Sequence, residues 1–103
     1  MEKNCCGKNS EKLQKILDLS CFLRVVSEVN RLRILCLLTK QELCVCKIFE
    51  ALKLSQNLVS HHLARLEKLD LVKKRKEGTF IIYKVNQKVL KEYKKLFNQI
   101  IKD

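Results

Sequence analysis

Apolar residues recur at helical spacing through most of this chain, and the pattern turns to strand character near its C-terminal third. Leu13, Ile16, Leu17, Leu19, Phe22, Leu23 and Val26 cover more than one face of a first helix, which Ser10 can cap and which reaches about Val29. Such broad apolarity suits a helix that packs on its own core and also on a partner. Asn30 can cap a second helix, in which Leu32, Leu35 and Leu38 form a stripe joined by Ile34 and Leu37. Residues 42–52 read as a short third helix. Lys53 and Leu54 make a tight connection, and Ser55 caps a fourth helix reaching about Leu69. Two short helices joined by a turn of that length form a helix-turn-helix pattern.

The β-branched and aromatic residues then gather on either side of a glycine. Leu71-Val72-Lys73-Lys74-Arg75 and Phe80-Ile81-Ile82-Tyr83-Lys84-Val85 flank the turn sequence Lys76-Glu77-Gly78-Thr79, the signature of a β-hairpin. A basic hairpin directly after a helix-turn-helix is a wing. A closing helix from Asn86 to about Lys102 turns Val89, Leu90, Tyr93, Leu96, Phe97, Ile100 and Ile101 to one side and Lys88, Lys91, Lys94 and Lys95 mostly to the other. The predicted class is mainly α (α+β): a winged helix-turn-helix of about five helices with a two-stranded wing. Residues 1–9 form a polar arm with no periodic apolar face, expected to be flexible, and residues 10–103 form the DNA-binding and dimerisation domain.

Composition narrows the function. A chain of 103 residues with 47% hydrophobic content is one domain with a modest core, a size that often gains stability by dimerising. No run approaches the ~18 apolar residues of a membrane span and no signal-peptide pattern opens the chain, so we expect a soluble cytoplasmic protein with no membrane partner. Six cysteines with two glycines, no proline and long helical patterns point to reduced thiols rather than a secreted disulfide scaffold. The net charge of +11 favours a polyanion such as nucleic acid, although it is spread along the chain and also fits a well-solvated surface. There is no Cys-x-x-Cys and no nucleophile–base–orienter set, so an enzyme is not expected.

Several segments together resemble the ArsR/SmtB family of winged-helix repressors over about residues 10–102. They are Asn30-Arg31-Leu32-Arg33-Ile34-Leu35, Glu42-Leu43-Cys44-Val45-Cys46, Leu54-Ser55-Gln56, Val59-Ser60-His61-His62-Leu63, and Arg75-Lys76-Glu77-Gly78 before Tyr83. The resemblance implies a homodimer seam built by the first and last helices, a fourth helix in the major groove of a double-stranded DNA operator, and an effector that weakens operator affinity. The Leu-Cys-Val-Cys segment is similar to the arsenic-sensing and cadmium/lead-sensing branches. Phe49 stands where the arsenic branch carries a third cysteine, and Lys47 where an aspartate is usual. The cadmium/lead branch draws further thiolates from its arm, a part that Cys5 and Cys6 are placed to play. The last helix contains no histidine, so the zinc site that some members build there is not expected.

Candidate metal ligands are therefore Cys44, Cys46, Cys5 and Cys6, and the expected effectors are As(III), Sb(III), Cd or Pb. Thiolates are soft donors that favour such ions, and two of them complete half of a four-coordinate shell. In a regular helix residues i and i+2 point about 200° apart, so Cys44 and Cys46 converge only if the helix start distorts, a distortion that would tilt the two-helix unit. Free N–H groups at a helix start, with Lys47 beside them, favour the thiolate. The bland alternative for Cys44 and Cys46 is a pair of small buried hydrophobes, and for Cys5 and Cys6 an incidental exposed pair. Cys21 and Cys36 fall in apolar helix stretches and read as structural. An oxidative alternative keeps the DNA-binding dimer and makes the switch a disulfide or persulfide among the same four thiols.

For DNA, Gln56, Asn57, Ser60 and His61 occupy exposed early positions of the fourth helix, with Leu58, Val59, Leu63 and Leu66 expected to pack inward. Glutamine and asparagine can pair bidentately with adenine. One of His61 and His62 is expected to pack and the other to contact DNA. Lys73, Lys74, Arg75 and Lys76 suit phosphate contacts along the wing, against the alternative of a solvated charged edge.

Overall fold

Backbone capping sets the helix boundaries. In a computed structural model that describes residues 11–102, α1 (Glu11–Val26) is followed after two residues by α2 (Val29–Lys40). The expected cap by Ser10 lies outside the described residues. Glu28, rather than Asn30, caps α2: its Oε1 accepts from the N–H groups of Asn30 at 2.7 Å and Arg31 at 3.1 Å. Val29 thus becomes the first helical residue, and the first helix ends sooner than its apolar pattern implied.

The third helix also starts later than expected. Leu43–Cys44 forms a short strand, β1, and α3 spans Val45–Leu52. Lys53 closes α3 in the left-handed conformation, at φ 56°, while the Leu54 N–H donates to the Phe49 carbonyl at 3.1 Å. Three residues later α4 (Gln56–Lys68) begins, capped by the Ser55 hydroxyl, which accepts from the Leu58 N–H at 3.1 Å. Arg33 ties this turn to α2 by donating to the Leu52 carbonyl at 3.0 Å.

The hairpin forms as expected, with β2 (Val72–Glu77) antiparallel to β3 (Phe80–Val85). Gly78 takes φ 60°, and a Cβ built there would meet nothing within 4 Å, so the glycine serves the turn's backbone and not its space. β1 extends the hairpin to a three-stranded sheet in the order β1-β3-β2, with Cys44 opposite Ile82. Asn86 caps α5 (Gln87–Ile100), accepting from the Val89 N–H.

One core joins these elements: Ile34, Leu35 and Leu38 of α2, Ile48 of α3, Val59, Leu63 and Leu66 of α4, and Val72, Tyr83 and Val85 of the sheet. α1 lies against α5, where the Phe22 and Tyr93 rings stack with centroids 4.3 Å apart. Two residues of α2 expected inward are not inward. Leu32 is half exposed, and Cys36, read as structural, is an exposed free thiol. α2 buries only the Ile34, Leu35 and Leu38 stripe, and both residues fall off it. No helix among the described residues is long and apolar enough to cross a membrane.

Candidate effector and DNA-binding site

Because Cys44 ends β1 rather than opening a helix, the two sulfurs meet without helix distortion. Cys44 is the N-cap of α3 with extended backbone, φ −74° and ψ 161°, and Cys46 lies in the first helical turn. The expected 200° divergence applies to two helical residues and so fails here. Both thiols are half-buried and free, which corrects the alternative of two sealed hydrophobes.

The two thiols act on one another. A hydrogen bond from the Cys46 thiol holds Cys44 below the ordinary thiol range, partial burial opposes this, and the N–H groups of Lys47 and Cys46 favour the thiolate further. No capping hydrogen bond closes on the Cys44 sulfur, yet it faces the free N–H groups of a helix start. Cys46 is pushed up by the same shared hydrogen bond, then by burial and by the neighbouring Cys44 charge. Two adjacent sulfurs, one with its thiolate form favoured, suit a soft ion, so the chemistry of the pair fits the ligand role. Among the described residues no group of three or more His, Cys, Asp or Glu side chains comes together, so the pair supplies two donors. Cys5 and Cys6, the expected further donors, lie outside the described residues.

The sulfurs border a cleft of about 410 Å³, walled also by Gln56 and Ser60 of α4 and by Lys74, Phe80, Ile81 and Tyr83 of the sheet. Thiol pair, fourth helix and wing therefore share one space. Backbone pairing reinforces this: Cys44, Ile82 and Arg75 lie in one row across the three strands.

Gln56, Asn57, Ser60 and His61 are all exposed, as expected, while Val59, His62, Leu63 and Leu66 form the buried stripe of α4. Asn57 and His61 are one helical turn apart on the outward side. Leu58, expected inside, is instead 37% exposed. It lies about 100° around the helix from Val59, beyond the edge of the stripe. An apolar side chain in the first exposed turn can contact a thymine methyl group, which adds Leu58 to the candidate reading residues.

The four wing cations divide. Lys74 reaches Glu67 of α4 at 3.6 Å, and Arg75 pairs with Glu42 at 2.6 Å and Glu77 at 3.0 Å. Those two carboxylates raise the Arg75 pKa, and Glu42 is the larger cause. Lys73 and Lys76 make no ion pair among the described residues, so they are the wing cations with no internal competitor for phosphate. Sequence reasoning missed Glu42 because its partner lies thirty-three residues downstream.

The bacterial regulatory protein family named arsR matches residues 28–74, a stretch running from the cap of α2 into β2. The chain is 38% identical over 91 residues to an uncharacterized HTH-type transcriptional regulator of Methanocaldococcus jannaschii, covering 87% of this chain and 99% of that one. It is 41% identical over 73 residues to the arsenical resistance operon repressor of Staphylococcus xylosus, covering 71% and 70%. With the cadmium resistance transcriptional regulatory protein of Listeria innocua it shares 39% over 75 residues, covering 71% of this chain and 63% of that protein. Among solved structures, a possible transcriptional regulator for arsenical resistance superposes with a TM-score of 0.72 at 32% identity, covering 79% and 84%. A homodimeric winged helix-turn-helix DNA-binding domain from Mycobacterium bovis superposes with a TM-score of 0.72 at 25% identity, covering 87% and 84%.

Proposed function

Because this chain belongs to the arsR family of bacterial regulatory proteins, a family of DNA-binding transcriptional regulators, we propose that it is a homodimeric repressor released from its operator by a soft thiophilic ion. The ion is As(III), Sb(III), Cd or Pb, held by Cys44 and Cys46, with Cys5 and Cys6 of the N-terminal arm as further ligands. The observation that carries this reading is the shared cleft, in which Cys44 and Cys46 stand beside Gln56 and Ser60 of α4. Relatives that are repressors of arsenical resistance and regulators of cadmium resistance support the same class of effector.

α4 reads the major groove through Gln56, Asn57, Ser60 and His61, while Lys73 and Lys76 grip phosphates, joined by Lys74 and Arg75 when DNA displaces their internal carboxylates. The dimer seam is formed by α1 and α5, where Ile16, Leu23 and Phe97, with Ile101 just beyond α5, are left exposed, and a second copy covers them. An ion that releases DNA must bind the DNA-free form more tightly, and a coupling of about 1–3 kcal/mol is typical.

The test is a duplex selected from random-sequence DNA by the purified protein, followed by anisotropy during titration with each ion. Release should track growth of thiolate charge-transfer absorption at Cys44 and Cys46. Release by peroxide or persulfide alone, with no response to any of the ions, would favour the oxidative alternative. Replacing Gln56 by alanine should weaken the selected duplex by about 1–3 kcal/mol and relax preference at one base pair, leaving the salt dependence unchanged. A uniform weakening across sequences would remove Gln56 from the reading set.

A further inference from the structure

The α4 face opposite the candidate DNA contacts carries a buried ionisable group. His62 is 4% exposed, in a stripe otherwise made of Val59, Leu63 and Leu66. Its Nδ1 accepts from the Arg31 guanidinium Nε at 3.1 Å, and the same guanidinium donates through Nη1 to the Val25 carbonyl at 3.1 Å. An accepting Nδ1 requires the proton of neutral His62 to be on Nε2. That Nε2 is buried with no hydrogen-bond partner, and the Glu28 Oε1 lies 3.7 Å away, beyond hydrogen-bond range. Glu28 Oε1 is already committed, since it accepts from two N–H groups as the cap of α2.

One side-chain chain thus runs from the end of α1, through Arg31 of α2, to the reading helix. We propose that Glu28, Arg31 and His62 are positioning residues that latch α4 to the α1–α2 junction, and that a second proton on His62 opens the latch and weakens operator binding. This rests on α4 being the DNA-reading helix. A proton added at Nδ1 sets an N–H against the Arg31 Nε–H at 3.1 Å, so the bond is lost and two cations face each other. The charged and titratable groups facing His62 are Glu28 at the junction, Arg31 on α2 and His61 on its own helix. Glu28 favours the charged ring, but burial, Arg31 and His61 oppose it, and burial is the largest influence, so His62 lies below the ordinary histidine value.

The sign follows from linkage. A docked His62 with a depressed pKa leaves the latch fully closed above about pH 6.5, the value of an undocked histidine. The latch loses stability as pH falls from there through the docked pKa.

The test measures affinity for a duplex selected by the purified protein at about pH 8, then followed down to about pH 5.5 at constant salt, for wild type and His62→Asn. The asparagine amide oxygen can accept from Arg31 and does not titrate. Wild type should weaken by up to about tenfold, the limit for a fall of about one pH unit below the undocked value, and His62→Asn by less than about threefold. Equal weakening of the two proteins overturns the latch. Should the variant fail to fold, ¹⁵N shifts of the wild-type imidazole decide: an Nε2–H tautomer that charges over the range where affinity falls supports the inference. A ring that stays neutral throughout that fall overturns it. Failure to select any duplex at about pH 8 would instead overturn the operator-binding reading, and this inference with it.

Discussion

Replacing Cys44 by serine should leave DNA binding without effector within about twofold of wild type and raise the ion concentration needed for release by about 100-fold or more. The fold should tolerate the change. Cys44 is the N-cap of α3, and serine is among the best N-cap residues, able to accept from the N–H groups that now face sulfur. Its pairing with Ile82 is through the backbone and needs no particular side chain. What disappears is the soft donor. Cys44 is the member of the pair whose thiolate is favoured, both by the Cys46 thiol and by the N–H groups of Lys47 and Cys46. A neutral hydroxyl replaces it, and Cys46 remains as a single thiol. Anisotropy under ion titration measures the release, and charge-transfer absorption counts the sulfurs lost. Release by Cys44→Ser at wild-type ion concentrations would remove Cys44 from the ligand set.

This expectation depends on a feature that local sequence pattern could not reveal. β1 is only two residues long, and it forms by backbone pairing with a strand almost forty positions away, at Tyr83 and Ile82. Without that strand, Cys44 reads as helical and the sulfurs as divergent. With it, one residue is extended, one is helical, and each shifts the other's pKa. The helix-turn-helix was legible because Ser55 caps α4 and the apolar spacing of Val59, Leu63 and Leu66 is local. The wing was legible because Gly78 separates two β-prone runs.

Misplaced residues share a different cause. Leu58, Leu32 and Cys36 are apolar by type but lie off narrow buried stripes, and residue type alone does not give the width of a stripe. Glu28 was overlooked because glutamate is not a favoured N-cap; here its carboxylate takes two N–H groups beside Arg31. Candidate DNA residues were legible as types, since all four on α4 are exposed. The internal pairing of Lys74 and Arg75 was not, because Glu67 and Glu42 come from other elements.

Leu63→Ala should produce the largest loss of stability, about 2–5 kcal/mol, with a fall in Tm of about 10 °C or more. Leu63 is fully buried in the core that holds α4 against α2, α3 and the sheet. Removing its side chain costs both transfer free energy and the cavity left behind. Small domains have only about 5–15 kcal/mol in total, so a large share of the margin goes with one residue. Leu58→Ala is the matched control: the same chemical change on the same helix, at a residue 37% exposed, should lower Tm by only a few degrees. Thermal melts by circular dichroism at one fixed protein concentration compare the two, since a dimer's Tm depends on concentration. The pair also separates folding from reading. Duplex binding by Leu63→Ala, corrected for the folded fraction, should approach wild type, whereas Leu58→Ala should fold normally and lose affinity at sites where a thymine methyl group meets α4. Equal Tm losses would mean that Leu58 is packed, and would remove it from the reading face.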